Sequence, residues 1–238
     1  MSLQKLVALG PQPKKEAIEG ILALRLEQWE ADPRAATRCL SGLAKAGRHH
    51  TAAALLMVLR GMACETNAFH YGAAISACEK ASSAGSTESW ETASELLAVL
   101  ACNSVDLNTV ICNAAVSACE KAGEWPIVIR LLRAMAQTSI ELDTITCSAT
   151  ISACEKGEQW ELGLRLLAEI HECDLELQII SYSAAISACG KCEKWEQALA
   201  LFAEMQACDL VPNVVSYNAV ISACEKGKQW EGAFRVLT

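Results

Sequence analysis

Apolar residues recur along much of this chain three or four positions apart, with polar residues between them. In the stretch 71–80, "YGAAISACEK", Tyr71, Ile75 and Cys78 hold that spacing. It predicts a helix with one buried stripe. A second pattern follows each such stretch. It opens on Trp and runs as "WELGLRLLAEI" (160–170) or "WEQALALFAEM" (195–205), again helical in period. Pro126 directly follows Trp125, and proline suits the first turn of a helix. Segment 15–30, "KEAIEGILALRLEQWE", predicts one more helix, flanking the first pair.

The two patterns repeat as a unit. "YGAAISACEK" (71–80), "CNAAVSACEK" (112–121), "CSATISACEK" (147–156), "YSAAISACGK" (182–191) and "YNAVISACEK" (217–226) align directly. Trp90, Trp125, Trp160, Trp195 and Trp230 are each 35 residues apart, whereas Cys78 and Cys119 are separated by 41. Six extra residues therefore lie between Lys80 and Trp90. The stretch "ASSAGSTES" (81–89) is small and polar, as a loop insertion should be. Lys45, in "GLAKAGRHH", marks a sixth, divergent copy. The expected units are 33–67, 68–108 with the insertion, 109–143, 144–178, 179–213 and an incomplete 214–238, preceded by an N-terminal segment, 1–32. Helical pairs at a fixed period predict an all-α, right-handed α-solenoid, in which stacking supplies the core that one unit lacks. An array that stops mid-unit leaves an apolar face, so the chain is expected to be a fragment or to lack a cap.

Composition adds constraints. Apolar residues form 52% of the 238, enough for a core, and aromatics only 5%. The net charge of −8 opposes general attraction to nucleic acid or anionic membrane but permits a local basic stripe. Thirteen cysteines, an odd number, mostly fall at the long period and read as buried reduced thiols. The longest apolar runs, such as 52–59, are far too short to span a membrane. The first twenty residues show neither a signal-peptide core nor an Arg- and Ser-rich transit pattern.

Unit 179–213, "IISYSAAISACGKCEKWEQALALFAEMQACDLVPN", closely resembles a pentatricopeptide repeat. Tyr182, Ile186, the Cys-Gly-Lys turn, the Ala198, Leu199, Leu201, Phe202 and Met205 set, and the closing Pro212-Asn213 carry the likeness, which extends over about 33–238. The tetratricopeptide pattern, with its 34-residue period, fits less well. The resemblance implies binding of single-stranded RNA, about one base per repeat, in RNA processing, stability or translation. It implies that the fifth and last residues of a unit face the base edge. Those pairs are Thr37 with Asn67, Gly72 with Asn108, Asn113 with Asp143, Ser148 with Gln178 and Ser183 with Asn213; Asn218 opens a sixth. The family's code then gives a target A-n-U-n-A-pyrimidine, read 5′ to 3′ along the chain. Val110, Ile145, Ile180 and Val215, at unit position 2, would sandwich the bases. The family implies a chloroplast or mitochondrial location, with the cytoplasm as the alternative. It implies no enzyme activity and no cofactor, and the chain reads as a monomer.

A helical wheel places positions 2, 9 and 13 within about 80° of position 5 and position 12 about 20° to its other side, with positions 4, 8 and 11 turned away. One face thus carries the candidate base reader and, at position 13, a Lys: Lys80, Lys121, Lys156, Lys191 and Lys226. A cation per unit matches a phosphate per nucleotide; a Lys at a helix C-terminus also complements the macrodipole. Glu79, Glu120, Glu155 and Glu225, at position 12, would offset it. They point to weak or steeply salt-dependent RNA binding, or to the rival function, a protein-interaction scaffold. Cys189 and Cys192 have C-x-x-C spacing, but a second ligand pair is absent and no metal site is assigned. No P-loop, GxGxxG or GxSxG occurs.

Overall fold

The computed structural model describes residues 2–8, 13, 15–23, 33–61, 66–102, 107–138, 140, 142–172 and 178–237. These residues form helices and turns. The chain divides into two compact bodies, Met1–Ala122 and Gly123–Thr238.

The first body opens with α1 (Ser2–Ala8) and α2 (Lys15–Ala23). The expected N-terminal helix is seen as α2; residues 24–30 of it lie outside the described residues, and α1 was not anticipated. Then come α3 (Pro33–Lys45), α4 (His49–Gly61), α5 (Ala68–Ser83), α6 (Ser89–Cys102) and α7 (Thr109–Ala122). α1 packs on α3 and α2 on α4, burying Leu6 and Ile18. The first helices of successive units, α3, α5 and α7, stack on one another. Small side chains permit that approach: Ala74, Ala77, Cys78, Ala115, Ala118 and Cys119 have no exposed surface. The insertion at 81–89 is a loop only in part. α5 continues through it to Ser83, and the Ser82 hydroxyl donates to the Ala118 carbonyl at 3.0 Å. The chain then turns at Gly85, φ 92°.

The second body contains α8 (Trp125–Gln137), α9 (Thr144–Lys156), α10 (Trp160–Glu172), α11 (Ile179–Lys191), α12 (Trp195–Ala207), α13 (Val214–Lys226) and α14 (Trp230–Leu237). First helices again stack, α9 on α11 on α13, while α10 and α12 fill the grooves between hairpins. Ile151, Tyr182, Ile186, Ala198, Met205 and Val220 form the fully buried centre. Truncating a central Ile of this kind to Ala costs about 2–5 kcal/mol.

In the last three units the turn between the helices is built the same way. The amide of Gln159 donates to the carbonyl of Cys154, Lys194 to Cys189 and Gln229 to Cys224. The bond closes the helix end on the carbonyl of the repeat cysteine. One residue in each turn has positive φ: Gly47, Gly123, Glu158, Glu193 and Lys228. The residue before it in two units is Gly157 or Gly227. Neither needs positive φ; a Cβ there would enter the ring of Trp125 or Trp195, the tryptophan of the preceding unit. The equivalent place for Trp160 is Cys192, and the Lys194 ammonium sits 5.3 Å from the Trp160 ring centroid. Trp125, Trp160 and Trp195 are therefore packing between units, whereas Trp230, in the last unit, is 70% exposed.

Candidate functional site

Each first helix starts on the last residue of the preceding unit. Asn67, Asp143 and Asn213 are N-caps with extended backbone, each accepting from the third amide beyond. Asn108 Oδ1 likewise accepts from the Ile111 amide at 2.9 Å. Gln178 occupies the cap without a side-chain bond, as expected of a longer amide side chain. The sequence reading assigned these residues to a base edge; the fold also uses them to begin the next helix. A cap consumes the oxygen of an Asn side chain and leaves its amide nitrogen as a donor.

In three units the fifth residue is tied to the third residue of the next. Thr37 Oγ1 lies 3.2 Å from His70 Nε2, Ser148 Oγ 2.9 Å from Ser181 Oγ and Ser183 Oγ 2.8 Å from Ser216 Oγ. That third residue also reaches the cap. Ser216 Oγ donates to Asn213 Oδ1 at 3.1 Å. The Asn67 amide donates to His70 Nδ1 at 3.1 Å, so the neutral imidazole carries its proton on Nε2 and donates it to Thr37. At His70 and Ser216, position 3 therefore couples the two candidate base-edge residues of the preceding unit. The sequence reading missed it, although the polar residue at position 3 in His70, Thr146, Ser181 and Ser216, with Ile111 breaking the series, was a usable signal.

The proton directions follow. Ser148 donates to the Thr144 carbonyl at 2.8 Å, so it accepts from Ser181. Ser216 spends its proton on Asn213, so Ser183 donates to Ser216. Both serines then have only acceptor lone pairs left. They are nearly buried, at 8% and 6% exposure. Asn113 and Thr37 are half-buried, and Asn218 is exposed.

The position-2 residues stand out from the surface. Val110 is 73% exposed, Ile145 65%, Ile180 60% and Val215 61%. Phe69, which the sequence reading did not assign, holds the same place at 77%.

The lysines and glutamates are not independent ladders. Glu79 Oε1 accepts from Ser117 at 3.1 Å and pairs with Lys121 at 3.2 Å. Glu155 Oε1 accepts from Ser187 at 2.7 Å and pairs with Lys191 at 3.2 Å. Each glutamate thus holds the Ser and Lys of the next unit. Lys80 and Lys226 are exposed; the places facing them one unit earlier are Ala44 and Gly190.

The repeat cysteines Cys78, Cys119, Cys154, Cys189 and Cys224 are fully buried. Burial pushes the Cys78 thiol up to about 12 and Cys154 and Cys189 to about 11, so these thiols are not nucleophiles at neutral pH. Cys192 donates to the Glu158 carbonyl at 3.2 Å. No helix among the described residues is long and apolar enough to cross a membrane.

Three family profiles match the chain: the PPR repeat family over 177–226, the pentatricopeptide repeat domain over 130–191 and the PPR repeat over 215–238. No curated protein sequence matches significantly. Among solved structures, the fold is similar to the pentatricopeptide repeat protein PPR10 from maize, with a TM-score of 0.66 and 18% identity, over 94% of this chain and 34% of that one. It is also similar to PPR10 in complex with an 18-nt psaJ RNA element, with a TM-score of 0.55 and 13% identity, over 94% and 39%. A third is the PPR domain of Arabidopsis thaliana protein-only RNase P 1 in complex with tRNA, with a TM-score of 0.60 and 14% identity, over 68% and 83%. The chain spans about a third of the length of PPR10.

Proposed function

The chain is a pentatricopeptide repeat protein, and from that premise we propose that it binds single-stranded RNA at roughly one base per unit. The reading is of a binding protein that masks or remodels a transcript in processing, stability or translation, in a chloroplast or mitochondrion. The carrying observation is the bonded chain Ser183, Ser216, Asn213, flanked by the exposed Ile180 and Val215. Ser183 presents an acceptor and Asn213 an amide donor. Adenine carries an amino donor beside a ring-nitrogen acceptor on its pairing edge, so the two complement it. Guanine and uracil carry a carbonyl and a ring N–H there and meet like against like. Cytosine shares adenine's pattern on a smaller ring and is read less well by size. The carboxylate of Asp143 presents only acceptors, which suits the ring N–H of uracil. Thr37 with Asn67 would repeat the adenine reading. Gln178, without a fixed capping bond, specifies little.

The test is fluorescence anisotropy with short RNAs of the pattern A-n-U-n-A-pyrimidine, the base opposite unit 179–213 being varied. Adenine is expected to bind roughly tenfold better than guanine or uracil, about the value of one mismatched hydrogen-bonding pair. Asn213→Asp replaces the donor by an acceptor and moves the preference away from adenine toward the bases with a ring N–H, guanine and uracil. An unchanged ranking in that variant overturns the assignment. The net charge of −8 favours the second reading, a protein-interaction scaffold; absence of RNA binding at physiological salt together with a protein partner would support it.

A further inference from the structure

Unit 68–108 has no side chain where its neighbours place a base-edge residue. Position 5 is Gly72, and a Cβ there would already lie 3.3 Å from Ile111 Cγ1. The unit's last residue, Asn108, gives its oxygen to the Ile111 amide and keeps only an amide donor, for which every base offers an acceptor. By edge recognition this unit is blind.

Two other features of the same helix differ from their equivalents. Position 2 is an aromatic ring, Phe69, 77% exposed, where the later units have Val or Ile. Position 13 is Lys80, exposed and without an ion-pair partner among the described residues. Its counterpart one unit on, Lys121, is held by Glu79; the place that would hold Lys80 is Ala44, and Glu79 itself is engaged by Ser117 and Lys121. Phe69 and Lys80 lie eleven residues apart, on one stripe of α5 and about 16 Å apart along its axis. The long Lys side chain leans back toward the helix start.

A π-face that every base can use, with an unpaired cation on the same stripe, is the combination that binds single strands regardless of sequence. Resting on the RNA reading above, we propose that unit 68–108 is a base-indifferent anchor for single-stranded RNA. Phe69 stacks on whichever base stands second in the target, and Lys80 holds a backbone phosphate. The lost edge contact is replaced by stacking and charge rather than leaving a gap in the register.

The experiment uses the full chain and four RNAs of the pattern A-n-U-n-A-pyrimidine that differ only at the second nucleotide, with a fifth that is abasic there. The four bases are expected to bind within about threefold, and the abasic RNA roughly tenfold more weakly, as loss of one stacked base implies. Phe69→Ala should weaken all four by about the same factor and leave the abasic RNA unaffected. Lys80→Ala should flatten the plot of log affinity against log salt by about 0.7, one single-strand phosphate, while Lys121→Ala, already paired, changes it far less. Phe69 and Lys80 are exposed, and an unchanged melting temperature confirms that the variants fold. Tenfold discrimination among the four bases, full binding of the abasic RNA, or an unaltered Phe69→Ala affinity would overturn the anchor. In each of those cases retained adenine preference opposite unit 179–213 shows that the RNA reading survives. If no RNA binds, both fall together.

Discussion

At the scale of the residue, two positions of the inter-helix turn carry opposite demands. Gly157 is there for space: a side-chain carbon would occupy the Trp125 ring, so the indole, packed against the core of its body, would have to shift. Gly157→Ala is expected to destabilise the chain by about 1–3 kcal/mol, measured by urea unfolding. The next residue is needed for conformation instead. Glu193 sits at φ 61°, where a side chain is strained by about 1–2 kcal/mol and glycine is not. Part of that gain is offset by the freer unfolded chain. Glu193→Gly should therefore raise stability by roughly 0.5–1 kcal/mol, and a loss would show that Glu193 makes a contact worth more than its strain. Gly47 and Gly123 already occupy this place in other units, so the chain itself contains both solutions.

At the scale of the helix pair, the glutamate at position 12 is best understood through its partner one unit on. From the sequence it looked like a carboxylate set against phosphate. The structure spends Glu155 on Ser187 and Lys191, so the pair is locally neutral. An exposed pair of this kind adds little stability, and its larger effect is on which lysines remain available. Glu155→Gln should leave the melting temperature within a few degrees. It should steepen the salt dependence of RNA binding by up to about 0.7, as Lys191 is released to a phosphate; an unchanged slope would mean that Lys191 does not face the RNA. The same contrast shows what was legible. Helix starts at Trp, buried cysteines and the 35-residue period follow from spacing, because stacking forces one interface to recur. Bonds between position 5 of one unit and position 3 of the next were not legible, since a helical wheel treats each helix alone. The role of Asn67, Asp143 and Asn213 as caps was hidden for a related reason. Assigning them to the end of a unit separated them from the helix they begin. Phe69 was overlooked because the sandwich position was read from the aliphatic side chains Val110, Ile145, Ile180 and Val215.

At the scale of the molecule, the repeat puts one nearly identical thiol in each inter-unit interface, so a small local penalty is multiplied along the array. Burial holds Cys78 at about 12 and Cys112, Cys154 and Cys189 at about 11. In the unfolded chain these thiols ionise near their ordinary value, about 8.5. Below that pH both states keep the proton and stability is untouched. Above it the unfolded state gains by releasing protons that the native state retains, so stability falls until the buried thiols themselves ionise at about 11–12. Other groups titrate in the same window, so the informative quantity is the difference between the protein and a single-thiol variant. Removing one thiol as Cys154→Ala costs some packing at neutral pH. From pH 8 to 10.5, however, the variant should lose about 1–2 kcal/mol less than the unsubstituted chain, read from urea midpoints at each pH. Equal losses would mean that water reaches the interface and that the stack opens locally without global unfolding. A smaller loss in the variant shows that the seam around Cys154 stays dry up to the point of cooperative unfolding, as a stacked core within the second body requires.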